Sequence, residues 1–220
     1  MDENELAQKY GLDLELLKKD QIKTAKDISL KDSQDFSVAT RFGAIASVLV
    51  RNQIVSVAIV CDEKFNILEQ QYFLDKIRFP YLYEFRSYRE MPCMVEAFNK
   101  LSEKPDVVLI SGHGLTHPRL GLASHFSIFI GVPAIGIAES LFDSDKVEKE
   151  DILREGKKIG RVLVSKENSK PLYVSPGNNI SIKSAYEICK KLVKEPHKLP
   201  EPLHLAHKYA REVKDELKLV

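Results

Sequence analysis

Runs of apolar residues in the first third of the chain predict three successive β-strands. Residues 42–50 and 53–61 are rich in β-branched and small apolar residues, and the polar pair Arg51-Asn52 between them predicts a hairpin. A third apolar run extends from Ile67 to Leu74 after another polar turn. We therefore expect these strands to pair in an antiparallel meander.

Short apolar runs then alternate with helical patterns. A helix is predicted from Glu90 to Ser102 and another near Ala123 to Ile130. The apolar runs at residues 107–110 and 132–137 are short enough to be buried strands. Alternation of strands and helices is typical of parallel pairing through crossover helices.

The two ends of the chain add more helices and a hairpin. Residues 3–28 predict one or two short surface helices, and residues 158–164 and 171–174 predict two paired strands. A helix from Ser181 to about Val193 is predicted next, and a last helix begins near Leu203.

Nothing in the sequence divides the chain into separate domains, because it contains no internal repeat, low-complexity stretch or Gly/Ser-rich linker. We expect one α/β domain with a mixed central sheet, antiparallel strands leading into parallel ones, flanked by helices. Within it, residues 1–35 form an N-terminal helical segment packed on the domain of residues 36–220.

Composition indicates an ordinary globular protein, since 44% of the 220 residues are hydrophobic and 30% are charged. The net charge of +1 means that an anionic partner must be bound by a local basic face. Cys61, Cys93 and Cys189 form no CxxC pair, which argues against a zinc site and a disulfide framework. No apolar run is long enough to span a bilayer, and residues 1–5 are acidic where a signal peptide would be basic. We expect a cytoplasmic protein with no membrane association.

Several short segments between residues 79 and 207 combine Gly, Pro, His and aromatic residues. They are FPY at 79–81, FRSYRE at 85–90, SGHGLTHPR at 111–119, LGLASH at 120–125, PAIGIA at 133–138, YVSPG at 173–177, LPEP at 199–202 and LAH at 205–207. In this order the segments resemble the endonuclease V family, over about residues 36–210.

The resemblance implies a ribonuclease-H-like fold. It also implies a Mg²⁺-dependent nuclease that recognises deaminated purine, chiefly inosine, in DNA or RNA, and cuts on the 3′ side of the lesion. Such hydrolysis relies on divalent ions, held by carboxylates, that neutralise the charge developing on the phosphate. The family accordingly supplies an Asp on the first strand, a Glu at a helix start, an Asp at a strand end, a Lys on a later strand and a nearby His.

Three of these five positions are altered in this chain. Ile45, Ser111 and Glu139 stand where the family has Asp, Asp and Lys, whereas Glu90 and His117 keep the expected chemistry. Glu90 is then the one predicted metal ligand, and a single carboxylate binds Mg²⁺ weakly. We expect hydrolysis by the family mechanism to be lost or very weak, because misplaced groups in a preorganised site cost orders of magnitude in rate.

The parts of the family pattern that contact nucleic acid are retained. Tyr81 aligns with an aromatic wedge that fills the gap left by an extruded base. Arginines supply phosphate contacts, and glycine turns allow close backbone approach. His207 is expected to be a structural histidine of the last helix. The predicted nucleic-acid-binding residues are Tyr81, Arg86, Arg89, Gly112, His113, Gly114, Arg119, Gly121 and Gly136.

Three functions remain open from the sequence. The first is a catalytically impaired relative that binds nucleic acid, DNA or RNA. The second is an active nuclease with a rearranged site, in which Glu139 joins Glu90 around the metal. The third is a protein–protein interaction module on the same fold, which an exposed apolar patch would favour. The sequence specifies no protein partner and no oligomeric state.

Overall fold

A nine-stranded mixed sheet forms the centre of the protein, in a computed structural model that describes residues 3–218. Its strands lie in the spatial order β3-β2-β1-β4-β5-β9-β8-β7-β6. The strands are β1 (Phe42–Val50), β2 (Gln53–Cys61), β3 (Ile67–Lys76), β4 (Val107–Ser111), β5 (Ala134–Ala138), β6 (Lys146–Glu148), β7 (Asp151–Arg154), β8 (Lys157–Leu163) and β9 (Leu172–Asn178).

The pairing of the first five strands confirms the predicted mixed sheet. β1, β2 and β3 form an antiparallel meander, and β1, β4 and β5 pair in parallel. β9 runs antiparallel to β5, and β8 pairs with β9 as the predicted hairpin. The sequence analysis missed β6 and β7. These strands are short, and β6 is fully exposed, so neither has the apolar run by which a buried strand is recognised.

Six α-helices surround the sheet in the described part of the chain. They are α1 (Glu3–Lys9), α2 (Leu14–Thr24), α3 (Arg86–Asn99), α4 (Leu122–Ile130), α5 (Ile182–Lys191) and α6 (Glu201–Lys218). Apolar side chains of α5 and α6 pack on one face of the sheet, and those of α3 and α4 pack on the other. The layers therefore follow the α/β architecture that the alternating pattern predicts.

Two helices begin earlier than the sequence analysis predicts. α3 starts at Arg86 instead of Glu90, and it continues through Pro92. A helix starting at Glu90 would place that proline in its first turn, where proline is tolerated. Packing overrides this preference, because Ser87 is buried and its Oγ lies 3.0 Å from Nδ1 of His125 on α4. α6 likewise begins at Glu201, so Pro202 occupies its first turn.

The N-terminal helices cover the loop that precedes α3. Leu6, Leu12, Leu14 and Leu17 pack against a small cluster of buried side chains in that loop. The cluster consists of Phe79, Leu82 and Phe85. Gln21 of α2, which is fully buried, donates from Nε2 to the backbone oxygen of Glu84 over 2.8 Å. This contact fixes the loop relative to the sheet.

Candidate functional site

A small cavity lies where β4 ends beside β1. It has a volume of about 30 Å³, and its lining includes Ile45, Glu90 and Ser111. These are three of the five positions that the sequence analysis aligns with the family's catalytic residues. Ile45 pairs in register with Ile110, the residue before Ser111, so β1 and β4 bring these positions together. The lining also includes His207 of α6, for which the sequence analysis expected only a structural role. We call this space the carboxylate cavity.

The side chain of Arg86 fills part of the carboxylate cavity and binds Glu90. Its Nε donates to Oε1 of Glu90 over 2.7 Å, and its Nη2 donates to Oε2 over 2.9 Å. Nη2 also lies 3.4 Å from the backbone oxygen of Ser111. Burial lowers the pKa of Arg86, but the hydrogen bonds and charge of Glu90 outweigh this and raise it. A permanent cation is therefore bound to the one predicted metal ligand.

The residues present do not fit a divalent ion. Ile45 is 1% exposed and apolar, and Ser111 supplies no charge. Burial lowers the pKa of His207, so its ring is neutral at pH 7, and Arg86 and Glu90 cancel each other's charge. Within residues 3–218, no group of three or more His, Cys, Asp and Glu side chains could hold a metal. The cavity therefore lacks the negative charge that attracts Mg²⁺.

Glu139 does not join this cavity. Its side chain is 68% exposed, and its Oε1 accepts a hydrogen bond from Nζ of Lys198 over 2.6 Å. The carboxylate points to the start of the segment that leads into α6, whereas Glu90 is bound to Arg86. A rearranged metal site shared by Glu90 and Glu139 finds no support in this geometry.

A second, smaller cavity adjoins the first and has a volume of about 10 Å³. Its lining includes the rings of Tyr83, His113 and His117. The ring of Phe142 packs against all three, with centroid distances of 5.1 Å to Tyr83, 4.9 Å to His113 and 5.1 Å to His117. We call these four rings the aromatic cluster. Arg86 lines both cavities, so its guanidinium lies between the aromatic cluster and Glu90.

His117 lies in the aromatic cluster and does not line the carboxylate cavity. Its Nδ1 accepts from the backbone amides of Arg119 over 3.1 Å and Leu120 over 3.0 Å, so the neutral ring carries its proton on Nε2. Burial, with smaller contributions from His113 and Arg119, lowers the pKa of His117 to about 3. The sequence analysis expected this side chain to keep the chemistry of the family's catalytic His near the metal ligands. In the structure it is a buried, neutral ring that organises its own loop.

His113 is held in place by a chain of hydrogen bonds. Its Nδ1 lies 3.0 Å from Oγ1 of Thr116, which lies 3.0 Å from Oγ of Ser175. The same Oγ accepts from the backbone amide of Gly114 over 3.1 Å. Burial, followed by the charge of Arg86, lowers the pKa of His113 to about 4. The ring is thus neutral at pH 7 and fixed in orientation.

Arg154 of β7 ties the loop of Phe142 to the histidine loop. It forms two hydrogen bonds, of 2.7 and 2.9 Å, with the carboxylate of Asp145. It also donates over 2.7 Å to the backbone oxygens of both Thr116 and His117. The side chain of Asp145 is fully buried. The loop that carries Phe142 is therefore anchored by a buried ion pair.

The predicted glycine turns pack against backbone of the same chain. A Cβ added to Gly114 would lie 2.3 Å from the backbone oxygen of Pro176, and one on Gly121 would lie 2.2 Å from that of His113. A Cβ on Gly136 would lie 2.3 Å from the nitrogen of Gly114. These three glycines are required for the fold itself. Gly112 differs, because the nearest atoms to its added Cβ belong to the side chains of Leu122 and Arg86.

Arg89 and Arg119, two of the arginines predicted to contact phosphate, bind other parts of the chain. Arg119 is mostly buried, where it donates over 2.7 Å to Oε1 of Gln21 and forms an ion pair with Glu84. Arg89 donates over 3.2 Å to the backbone oxygen of Phe79 and lies 5.9 Å from the centroid of the Tyr81 ring. Tyr81 itself is 57% exposed, as a stacking residue requires.

Sequence reasoning missed the contributions of His207, Phe142 and the Arg86–Glu90 pair. The pair had a signal, since opposite charges four residues apart meet on a helix. The predicted helix began at Glu90, so Arg86 was placed in the preceding loop. Phe142 stands alone in a polar segment and carries no comparable signal.

None of the helices within residues 3–218 has the length and apolar character of a membrane span.

A family model described as Endonuclease V matches residues 22–208. An endonuclease V of Thermosipho melanesiensis is 34% identical over 200 residues, which cover 87% of this chain and 83% of that protein.

Solved structures have the same architecture. A crystal structure of the endonuclease V of Bacillus subtilis has a TM-score of 0.83 at 27% identity and covers 94% of both chains. An endonuclease V of Ciona intestinalis was crystallised with a DNA containing an inosine followed by a ribo-adenosine. It has a TM-score of 0.84 at 22% identity, covering 93% of this chain and 98% of the other, which is a likeness in fold.

Proposed function

Because this chain belongs to the endonuclease V family, we propose that it binds inosine-containing nucleic acid without cutting it by the metal-dependent route. The relative from Ciona intestinalis that binds an inosine-containing DNA has the same fold, which supports the choice of ligand. Cys61, Cys93 and Cys189 are buried free thiols, which agrees with a cytoplasmic location.

The observation that carries this proposal is the ion pair between Glu90 and Arg86. Both of its carboxylate oxygens accept hydrogen bonds from Arg86, so a divalent ion would have to displace a guanidinium to reach it. Ile45 and Ser111 offer no replacement charge. Since in-line hydrolysis of a phosphodiester depends on ions that neutralise the developing charge, we expect the family reaction to be lost or very weak.

Recognition of the base would involve the aromatic cluster. Stacking on aromatic rings stabilises an extruded base, and backbone groups of a glycine turn can bind its edge. The cavity there is far too small for a purine, so Phe142 or Tyr83 would have to move aside. Tyr81, exposed at the loop before α3, is the residue we assign to the gap left in the stack.

Binding and cleavage can be separated experimentally. Fluorescence anisotropy in EDTA, with oligonucleotides that carry inosine or adenosine at one position, measures binding and base preference. We expect binding at low salt that weakens steeply as salt is added. Tyr81→Ala should weaken it by about fivefold or more, as expected when a stacking ring is lost. An absence of binding at low salt would favour the alternative of a protein–protein module.

Cleavage is tested with the same inosine oligonucleotides in Mg²⁺ or Mn²⁺, at enzyme excess. We expect no product on the 3′ side of the lesion. The control variant is Glu90→Ala, which removes the one predicted ligand. Product formed by the wild type and absent with this variant would contradict the proposed loss of hydrolysis.

A further inference from the structure

We propose that Arg86 takes the place of a metal ion in this fold, and that the Arg86–Glu90 pair is a metal-free binding site for a single phosphodiester group. This inference rests on the proposed nucleic-acid binding and names the contact that replaces metal-held phosphate. The phosphate bound is the one beside the nucleotide that lies at the aromatic cluster, since Arg86 lines both cavities.

Glu90 orients the guanidinium and leaves one of its nitrogens unused. Nε and Nη2 point to the two carboxylate oxygens, at 2.7 and 2.9 Å. Among residues 3–218, no hydrogen bond is formed by Nη1, which lies 3.6 Å from where a Cβ on Gly112 would be. Its N–H groups are therefore available at the glycine turn, the side on which a nucleotide would enter.

The balance of exposure and charge suits a phosphate. Arg86 has 30% of its side chain exposed and Glu90 has 13%, so the cation is the more accessible member of the pair. A planar guanidinium with spare donors binds phosphate oxygens with defined geometry, and it needs no divalent ion to do so. The fold-stabilising partner, Glu90, keeps the side chain in place before any ligand arrives, which reduces the entropy lost on binding.

The first test replaces Arg86 and compares it with a matched arginine elsewhere. Arg41 also pairs with a glutamate, Glu103, but it precedes β1, at the opposite end of the strands from Ser111. Arg86→Met should weaken binding of an inosine oligonucleotide in EDTA by about tenfold or more. It should also reduce the slope of log affinity against log salt by nearly one phosphate contact. Arg41→Met should leave both quantities near wild type.

The second test uses the effect of Glu90→Gln on affinity to distinguish this site from a metal site. Glu90→Gln removes a negative charge next to the phosphate and keeps an amide oxygen that can still accept a hydrogen bond from Arg86, so it should strengthen binding in EDTA several-fold. If Glu90 held a metal ion instead, Glu90→Gln would weaken binding measured in Mg²⁺. Glu103→Gln, in the matched pair, should leave the affinity for the oligonucleotide unchanged both in EDTA and in Mg²⁺.

The third test locates the contact on the ligand. Neutral methylphosphonate linkages are placed one at a time around the inosine. One linkage should weaken wild-type binding about tenfold and have no further effect on Arg86→Met. If Arg86→Met fails to fold, Arg86→Lys is used, and the neutral linkage should weaken its binding less than that of the wild type, because lysine keeps the charge and loses the planar two-pronged contact.

The outcomes distinguish this inference from the proposed function. Failure of the wild type to bind any oligonucleotide at low salt would overturn both. If the wild type binds and Arg86→Met has the same affinity as Arg41→Met, only the phosphate site is overturned. Wild-type binding that disappears in EDTA and returns with Mg²⁺ would also overturn it, because the phosphate would then be held by an ion.

Discussion

Rebuilding the lost carboxylates should convert the cavity beside Glu90 into a metal site, at a cost in stability. The change is Ile45→Asp with Ser111→Asp, combined with Arg86→Met to remove the resident cation. Ile45 is 1% exposed, so its replacement loses about 1.5–3 kcal/mol of apolar burial. Desolvating the new carboxylate adds several kcal/mol. Without metal, we expect the free energy of unfolding to fall by on the order of 5 kcal/mol.

A divalent ion should return part of this loss. An ion present at a hundred times its Kd stabilises the folded state by about 2.7 kcal/mol. For a chain of 220 residues, each kcal/mol shifts the melting temperature by about 2–4 °C. The rebuilt variant should therefore melt about 5–10 °C higher in Mn²⁺ than in EDTA. The wild type should show no such difference, because Arg86 already binds Glu90.

Differential scanning fluorimetry with EDTA, Mg²⁺ and Mn²⁺ measures these shifts, and adding Glu90→Gln to the rebuilt variant serves as the control. That fourth change should reduce the Mn²⁺ effect sharply. The reasoning fails if the wild type is stabilised by Mn²⁺ and loses this in Glu90→Gln, since Glu90 would then hold an ion despite Arg86. Adding Glu139→Lys to the rebuilt variant completes the family set and should restore some cleavage.

Three further changes test other parts of the site. Phe142→Ala should remove the ring packed against Tyr83, His113 and His117, strengthen inosine binding, and cost about 1–3 kcal/mol of stability by chemical denaturation; unchanged affinity would show that the ring is no barrier. Burial lowers the pKa of His117 to about 3 from 6.5, so stability is full above pH 6.5 and falls as the unfolded chain alone takes up the proton. His117 should contribute a loss on the order of 3 kcal/mol between pH 6.5 and 4, measured by urea unfolding as the difference between the wild type and His117→Asn; the variant keeps the loss due to His113, whose pKa is lowered to about 4. Arg119→Met leaves the buried Oε1 of Gln21 and the carboxylate of Glu84 without the arginine, and should cost about 2–4 kcal/mol, whereas a loss below about 1 kcal/mol would contradict the network.

Local pattern predicted the sheet well because its strands are buried and bounded by polar turns. The bounds of β1 and β2 agree with the predicted runs, and β3 extends two residues beyond its predicted end at Leu74. The start of α3 was wrong by one turn. The buried contact of Ser87 with His125, which decides it, joins residues far apart in sequence and has no local signal.

Three of the five positions of the candidate site lie at one cavity in the structure, and their interactions were not predicted. Alignment to a family pattern placed Ile45, Glu90 and Ser111 together, and the structure does bring them to one cavity. It could not predict that Arg86 would bind Glu90, because that depends on the helix beginning at residue 86. Nor could it place His207 in the cavity, since the position of α6 over the strand ends is set by packing across the whole sheet.

The glycines of this chain bear on how its sequence should be compared with others. Gly114, Gly121 and Gly136 each lie within van der Waals contact of another backbone segment, and no larger residue could occupy these places without moving the chain. Selection for a folded protein alone would keep them, whether or not anything is bound or cut. The catalytic carboxylates are not needed for folding, since Ile45 packs in the core at a position where the family has an Asp. The two halves of the family signature can therefore change independently, and a search weighted toward the glycines will match a chain whether or not it keeps the catalytic carboxylates.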